Sequence, residues 1–381
     1  MIQENWPQLS TINWLGLWPR GGWPGRLQAT FSYTIVLCTP LLFATEGYGA
    51  SLGINQGNLV VVMQRFNEMI SGILFYLHSL VFIFYRTEIK KTLTLIDDLN
   101  EDITREDGDM AFEEILKRKT FNKKVYKMFL TMFIFLAAPW SIFPLAQSII
   151  NNERILLVNV WVPLDNNFLP FYIIQFLFQV LCGYNYSLSL TMFNALFVSV
   201  CELIFGHLSI LCLRVRKIQY GLPSTNLELI RSIQHQNRIL EIIHKFQGIT
   251  MLLLIADCIL TIVLVCCILV ELTKAVPGSE GRVFSVILEA LSVLMFLGTY
   301  CWYGNQITYQ YSQVVSSWYS GDWYNGTKDE KKILLNAMTM TRRPVYLGGF
   351  IRIDTLTFIN IIKGAFSFYN VLMAEKKIPG N

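Results

Sequence analysis

The sequence predicts an all-α membrane protein with seven transmembrane helices, its N-terminus cytoplasmic and its C-terminus extracellular, and its helices extended into a cytoplasmic anchor bundle. Three observations carry this reading. Apolar residues make up 53% of the 381, and only 15% are charged, against about a quarter in a soluble domain. Seven stretches reach the ~20 largely apolar residues that a helix needs to cross hydrocarbon. Lysine and arginine then rise and fall between those stretches in alternation.

The segment 1–30 comes first, cytoplasmic or interfacial. It lacks the basic start, continuous apolar stretch and small-residue cleavage site of a signal peptide. Trp6, Trp14, Trp18 and Trp23 fall there among prolines and glycines, a composition suited to anchoring at a membrane surface. Spans one to six occupy 31–305. The first runs from Leu27 to Leu52, broken only by Glu46, and the second from Phe66 to Tyr85. The third, Tyr126 to Ile150, is uncharged from Met128 onward, and the fourth lies in the uncharged run from Asn166 to Cys201. The fifth is Ile249 to Val270 and the sixth Val283 to Asn305. A cytoplasmic anchor segment follows at 306–352. The last unit, 353–381, holds the seventh span, Thr355 to Ala374, with Lys363 at its middle, and a short extracellular C-terminus.

Of the 31 lysines and arginines, 24 fall in the N-terminal segment and the second, fourth and sixth loops. Six fall on the other side, and Lys363 completes the count. Basic loops stay in the cytoplasm, so the N-terminus is inside. The orientation is the reverse of a G-protein-coupled receptor. A transporter often shows repeated halves with matching broken helices, and no such pairing is visible. The basic loops are also helix-like. Leu93, Leu95, Ile96 and Leu99 form one apolar stripe, and Leu229, Ile233, Ile239, Leu240, Ile242 and Ile243 another. Such stripes must be covered. They predict that spans two to six continue as helices into a bundle with Asp329 to Thr341.

Catalytic chemistry finds no foothold. No nucleophile elbow, P-loop, HExxH or dinucleotide fingerprint occurs. The eight cysteines and four histidines lack metal-ligand spacing, so neither a metal nor a cofactor is expected. Two charges fall deep within spans. Asp257 and Lys363 each sit about eight residues from the inner end of their span, or ~12 Å deep at 1.5 Å per residue. Such charges pair or face water. Asp257 and Lys363 are therefore expected to lie together and couple the fifth span to the seventh.

The C-terminal third carries a recognisable signature. It reads Tyr303-Gly304-Asn305, Ser317-Trp318-Tyr319, Asp322-Trp323-Tyr324, a run from Lys331 to Arg342-Arg343-Pro344, Gly348-Gly349-Phe350, Thr357-Phe358, and Ile362-Lys363 through Ser367 to Leu372. With Leu15-Gly16-Leu17-Trp18-Pro19 and His235-Gln236, it resembles insect odorant receptors over essentially the whole chain. The Thr-Tyr and Gln-Phe ending of the sister gustatory receptors is missing. Cys201 to Gly248 leaves no room for the long insertion of the shared co-receptor.

The resemblance therefore implies a tuning subunit in the plasma membrane of olfactory sensory neurons. It binds a small volatile odorant and opens a nonselective cation channel as a heterotetramer with the co-receptor, without a G protein, an enzymatic step or nucleic acid. It places the odorant in the outer halves of spans two, three, four and six. The expected contacts there are Met69, Ile73, Phe75 and Tyr76, then Trp140 and Phe143, then Tyr172, Gln175, Phe176 and Gln179, and last Leu291 and Met295. An apolar, aromatic site with few polar groups suits such a ligand. The seventh span resembles the family's pore helix. Ser367, Val371 and Glu375 share one face at i, i+4 and i+8. Val371 matches the hydrophobic gate, which blocks ions by dewetting, and Glu375 lies near the outer mouth, placed to attract cations.

Overall fold

The computed structural model describes residues 5–18, 23–55, 59–151, 154, 156–157, 169–274, 280–342, 344–349 and 351–375. Its helices are α1 (Pro7–Trp14), α2 (Trp23–Asn55), α3 (Leu59–Phe84), α4 (Arg86–Asp107), α5 (Asp109–Asn151), α6 (Leu169–Arg216), α7 (Thr225–Thr273), α8 (Glu280–Tyr319), α9 (Lys328–Thr341) and α10 (Thr355–Glu375). No strand occurs among the described residues. Seven of the helices, α2, α3, α5, α6, α7, α8 and α10, are long and apolar enough to cross a membrane. The last of these spans, Thr355–Ala374, has the bounds read from the sequence.

Four helices are far longer than a bilayer requires. α5, α6, α7 and α8 have 43, 48, 49 and 40 residues, or ~60–74 Å at 1.5 Å per residue. Hydrocarbon is ~30 Å thick, so each carries as much helix again beyond it. The sequence boundary at 305 consequently falls inside α8, which continues to Tyr319. The second span differs. α3 stops at Phe84, Tyr85 leaves helical geometry at φ −96 and ψ 12, and a new helix begins at Arg86. The apolar stripe of α4 is then free to turn inward, and Leu93, Ile96 and Leu99 are fully buried.

α6 is the axis of the assembly. Of its most apolar window 83% is buried, against 11% for α10. Beyond the spans, α4, α9 and the extensions of α5 to α8 form the anchor bundle, stitched by polar groups. Arg214 on α6 pairs with Asp107 at 2.7 Å and Glu106 at 2.9 Å. Arg118 on α5 joins Glu202 on α6 at 2.7 Å, and Tyr303 on α8 donates to the same carboxylate at 2.8 Å. α9 starts on a capping box between Thr327 and Glu330, which satisfies two of the amides a helix start leaves orphaned.

The C-terminal signature finds its physical reason in this bundle. The Trp318 side chain is fully buried, and its Nε1 donates to Gln236 Oε1 at 2.9 Å. Gln236 Nε2 in turn donates to Thr341 Oγ1 at 2.9 Å. One indole thus ties α8 through α7 to α9. Trp318→Ala is expected to cost about 3–5 kcal/mol from lost packing alone, with Gln236 left short of a donor. The measurement is the melting temperature of the purified receptor together with the fraction delivered to the cell surface, both falling sharply.

The N-terminal tryptophans divide into two pairs. Trp14 and Trp23 are exposed, as an interfacial anchor requires, but Trp6 and Trp18 are buried. Trp6 donates to Asp97 at 3.2 Å, and Arg86 lies over the Trp18 ring. Burial pushes the Asp97 carboxyl above its ordinary range, opposed by hydrogen bonds from Asn5 and Trp6. α1 also drives Leu9 and Ile12 into the core and bonds Gln8 to Ser199 of α6 at 2.9 Å. The segment is therefore an integral part of the fold as well as a surface strip.

Candidate ligand cavity

In the half of the bundle remote from the anchor, α2, α3, α5, α6 and α8 surround a cavity of about 220 Å³. Its aromatic wall is Phe43 from α2, Phe75 from α3, Phe133 and Trp140 from α5, Tyr186 from α6 and Phe296 from α8. Two glycines shape that wall. A Cβ at Gly72 would stand 2.7 Å from the Phe43 ring, and one at Gly183 would run into Trp140. Each aromatic side chain lies where a larger residue on the neighbouring helix would forbid it. The Tyr186 and Thr39 hydroxyls are hydrogen-bonded, which holds α6 to α2.

The other end of the cavity is polar. Glu46, Glu68, Glu289, Asn67, Ser71 and Arg282 all line it. Glu289 accepts from Ser71 Oγ and from Asn67 Nδ2, the latter at 3.1 Å. Arg282 pairs with Glu68 at 2.9 Å and with Glu271 at 3.1 Å, joining α8 to α3 and α7. Charges removed from water persist when paired and hydrogen-bonded, and these pairs knit three helices around one rim.

Three of the sequence-nominated contacts, Phe75, Trp140 and Gln179, line this cavity. The other nine lie elsewhere. Tyr76 stands just behind the wall, edge-on to Tyr186 and Phe43. Met69 and Ile73 are half-buried on α3 outside the lining. Phe143 packs on Phe284. Tyr172 packs on Phe176 and bonds Ser148 at 3.2 Å, above the cavity with Gln175. Leu291 and Met295 turn outward, 60% and 38% exposed. The face that α8 gives to the cavity is instead Arg282, Ser285, Glu289, Ser292 and Phe296, spaced at three and four residues as one helical face must be. α2 contributes a wall that the sequence reading did not anticipate. Its signal was present: Thr39 and Glu46 are seven residues apart, polar, and on one face of the helix, and Glu46 is the one acidic residue of α2.

The expected pairing of Asp257 with Lys363 does not form. Asp257 is buried, and its carboxylate lies 3.4 Å from His78 Nε2 on α3. That nitrogen also meets the Tyr300 hydroxyl of α8 at 3.2 Å. Lys363 is exposed, with no carboxylate in ion-pair range among the described residues. The reason is helical phase. α10 packs on α7 and α8 through Phe358, Ile361, Ala365 and Leu372, and at 100° per residue Lys363 points to the opposite side. Asn360, Lys363, Ser367 and Asn370 lie on that uncovered side together with the apolar Leu356, Ile359 and Val371. Glu375 closes the helix, and its side chain lies outside the described residues.

α8 connects the two regions. Phe296 sits at the cavity, and Gly298 and Gly304, farther along the same helix, face Phe358 and Ile353 at the start of α10. Two residues separate Phe296 from the Gly298 contact with Phe358 of α10, and eight, ~12 Å of helix, separate it from the Gly304 contact with Ile353.

The sequence model of a family described as 7tm Odorant receptor matches residues 58–366. Curated relatives include odorant receptors of Drosophila melanogaster. Receptor 56a is 27% identical over 38% of this chain and 34% of its own length. Receptor 33a is 22% identical over 78% of this chain and 79% of its own. The chain thus spans about a third of 56a and, with 33b, 46% of that relative. Among solved structures, the olfactory receptor OR5 of Machilis hrabei in complex with eugenol superposes with a TM-score of 0.81 at 14% identity, covering 98% of this chain and 97% of that one. A second structure of the same receptor gives 0.78 at 12% identity, covering 96% of each chain. These likenesses establish a shared fold.

Proposed function

The chain belongs to the 7tm odorant receptor family, and from that premise we propose that it is the odorant-binding subunit of an odorant-gated cation channel. It works beside the shared co-receptor as a heterotetramer in the plasma membrane of olfactory sensory neurons, with its basic anchor bundle in the cytoplasm. Phe75, Trp140 and Gln179, with Tyr186 and Phe296, receive the ligand's body. The observation that carries the reading is the alignment of an aromatic-walled cavity, one continuous helix and a terminal span with a partly polar face. A ligand that swells the cavity moves α8 at Phe296, and α8 bears on α10.

The face of α10 supports the channel part. A span surrounded by lipid tolerates neither Lys363 nor the row Asn360, Ser367 and Asn370. Turned toward a water-filled axis shared by several chains, the same row is solvated. Val371, uncovered on that face, would close such an axis by dewetting. Val371→Ser is then expected to raise current in the absence of odorant severalfold, read in whole-cell recordings at matched surface levels. The tuning assignment rests on the short connection between α6 and α7, residues 217–224 alone.

Expression with and without the co-receptor, with current recorded across an odorant panel, tests the function. Odorant-evoked current that survives G-protein blockade supports it, and current that demands a G protein contradicts it. A C-terminal tag stained on intact cells tests the orientation.

A further inference from the structure

We propose that the cavity selects ligands with a hydrogen-bond-donating head, an amine first and an alcohol second, on an apolar body, and that Glu46 receives that head. This deepens the odorant-binding reading and rests on it. The carboxylates at the polar end are not equivalent. Glu289 has donors in Ser71 and Asn67, and Glu68 and Glu271 share Arg282. Glu46 has none. It lines the cavity, is 5% exposed, and its Oε2 is buried without a hydrogen-bond partner. Glu68 keeps a second oxygen, Oε2, equally unpartnered at the same end.

The groups around Glu46 decide what satisfies it. Glu68 and Arg65 act on it from α3 with opposite charge. Arg65 forms no hydrogen bond to it, and its own Nη1 is buried without a partner. Four acidic side chains, Glu46, Glu68, Glu271 and Glu289, stand against two guanidiniums, Arg65 and Arg282, so acceptor oxygens outnumber the charged donors at this end. Buried acceptors short of a donor favour any ligand that brings one, and a cationic donor most of all. Arg282 is the cation among the lining residues and is already engaged twice, while Arg65 lies outside the lining. Ethers, ketones and esters carry only acceptors and would set oxygen against oxygen. The opposite end, with Phe75, Phe133, Trp140 and Phe296, takes the hydrocarbon part.

The test is a matched series on one skeleton: 2-phenylethylamine, 2-phenylethanol, the methyl ether of that alcohol, and ethylbenzene. Each is applied to cells expressing the receptor with its co-receptor. The expected half-maximal concentrations rise in that order, with the amine at least tenfold more potent than the ether. Glu46→Gln keeps the side-chain size and removes the charge. The amine is expected to lose at least tenfold in potency, and the ether to change by less than threefold. An ether or hydrocarbon as potent as the amine in the wild type overturns the proposal, whatever the fate of the variant. So does a Glu46→Gln receptor at normal surface level with an unchanged series. A receptor that answers other volatiles but no member of the series overturns the head-group assignment and leaves the odorant-receptor reading standing. One that answers no volatile of any class removes both.

Discussion

Replacing Gly183 with valine is expected to raise the odorant concentration needed for half-maximal current by about tenfold or more, equivalent to ~1.4 kcal/mol per decade of binding. A Cβ at this position would meet the Trp140 ring, with Cη2 at 2.7 Å. The backbones of α5 and α6 are held by Tyr184, whose hydroxyl bonds Ser141 at 2.8 Å, so the indole must yield. The space open to it is the cavity that Trp140 and Gly183 both line. The variant therefore fills the site from within while leaving the spans apolar and the anchor untouched. Gly248→Ala is the control. A Cβ there meets nothing within 4 Å, and the exchange gains up to about 1 kcal/mol of helix propensity. Concentration–response curves at equal surface labelling should separate the two variants cleanly. Equal sensitivity in both would mean that the odorant does not occupy this cavity.

The second large effect lies at the junction of α8 and α10. Gly304→Ala is expected to abolish odorant-evoked current in receptors that still reach the surface. The added methyl would occupy the place of the Ile353 carbonyl oxygen. That atom belongs to the backbone leading into α10, so the contact cannot be relieved by a rotamer change. Gly298→Ala, on the same helix, brings its methyl to 3.7 Å from the Phe358 ring, an ordinary van der Waals approach, and should conduct normally. Loss of current in Gly304→Ala alone marks the α8–α10 contact as the route of coupling. Normal current in both variants would place the route elsewhere.

Much of the fold was legible because hydropathy and length act independently of packing. Thr355–Ala374 could be bounded from its residues alone despite Lys363 at its centre. The helices of the anchor were legible too, since the stripes of 93–99 on α4 and 229–243 on α7 leave apolar surface on otherwise charged segments. The break at Tyr85 was not, because nothing in its sequence forbids continued helix.

The candidate site was legible by helix more than by residue. Leu291 and Met295 were nominated for being apolar, and in a membrane apolar side chains are as content facing lipid as facing a ligand. The face of α8 that turns inward is the one with Arg282, Ser285, Glu289 and Ser292, because polar groups have nowhere else to go. On a spanning helix, polar periodicity locates the interior better than apolar periodicity does. The same rule marks Asn67 and Ser71 on α3 and Glu46 on α2. Asp257 and Lys363 failed as a pair because equal depth fixes only one cylindrical coordinate. Their angular positions on α7 and α10 turn one toward His78 and the other away from the bundle.

The most direct test is a structure of the receptor with an activating odorant, chosen by current recordings. Ligand density is predicted between Phe75, Trp140, Tyr186 and Phe296, with the ligand's polar end toward Glu46. Density at any other place in the bundle, with this cavity unchanged, would contradict the account.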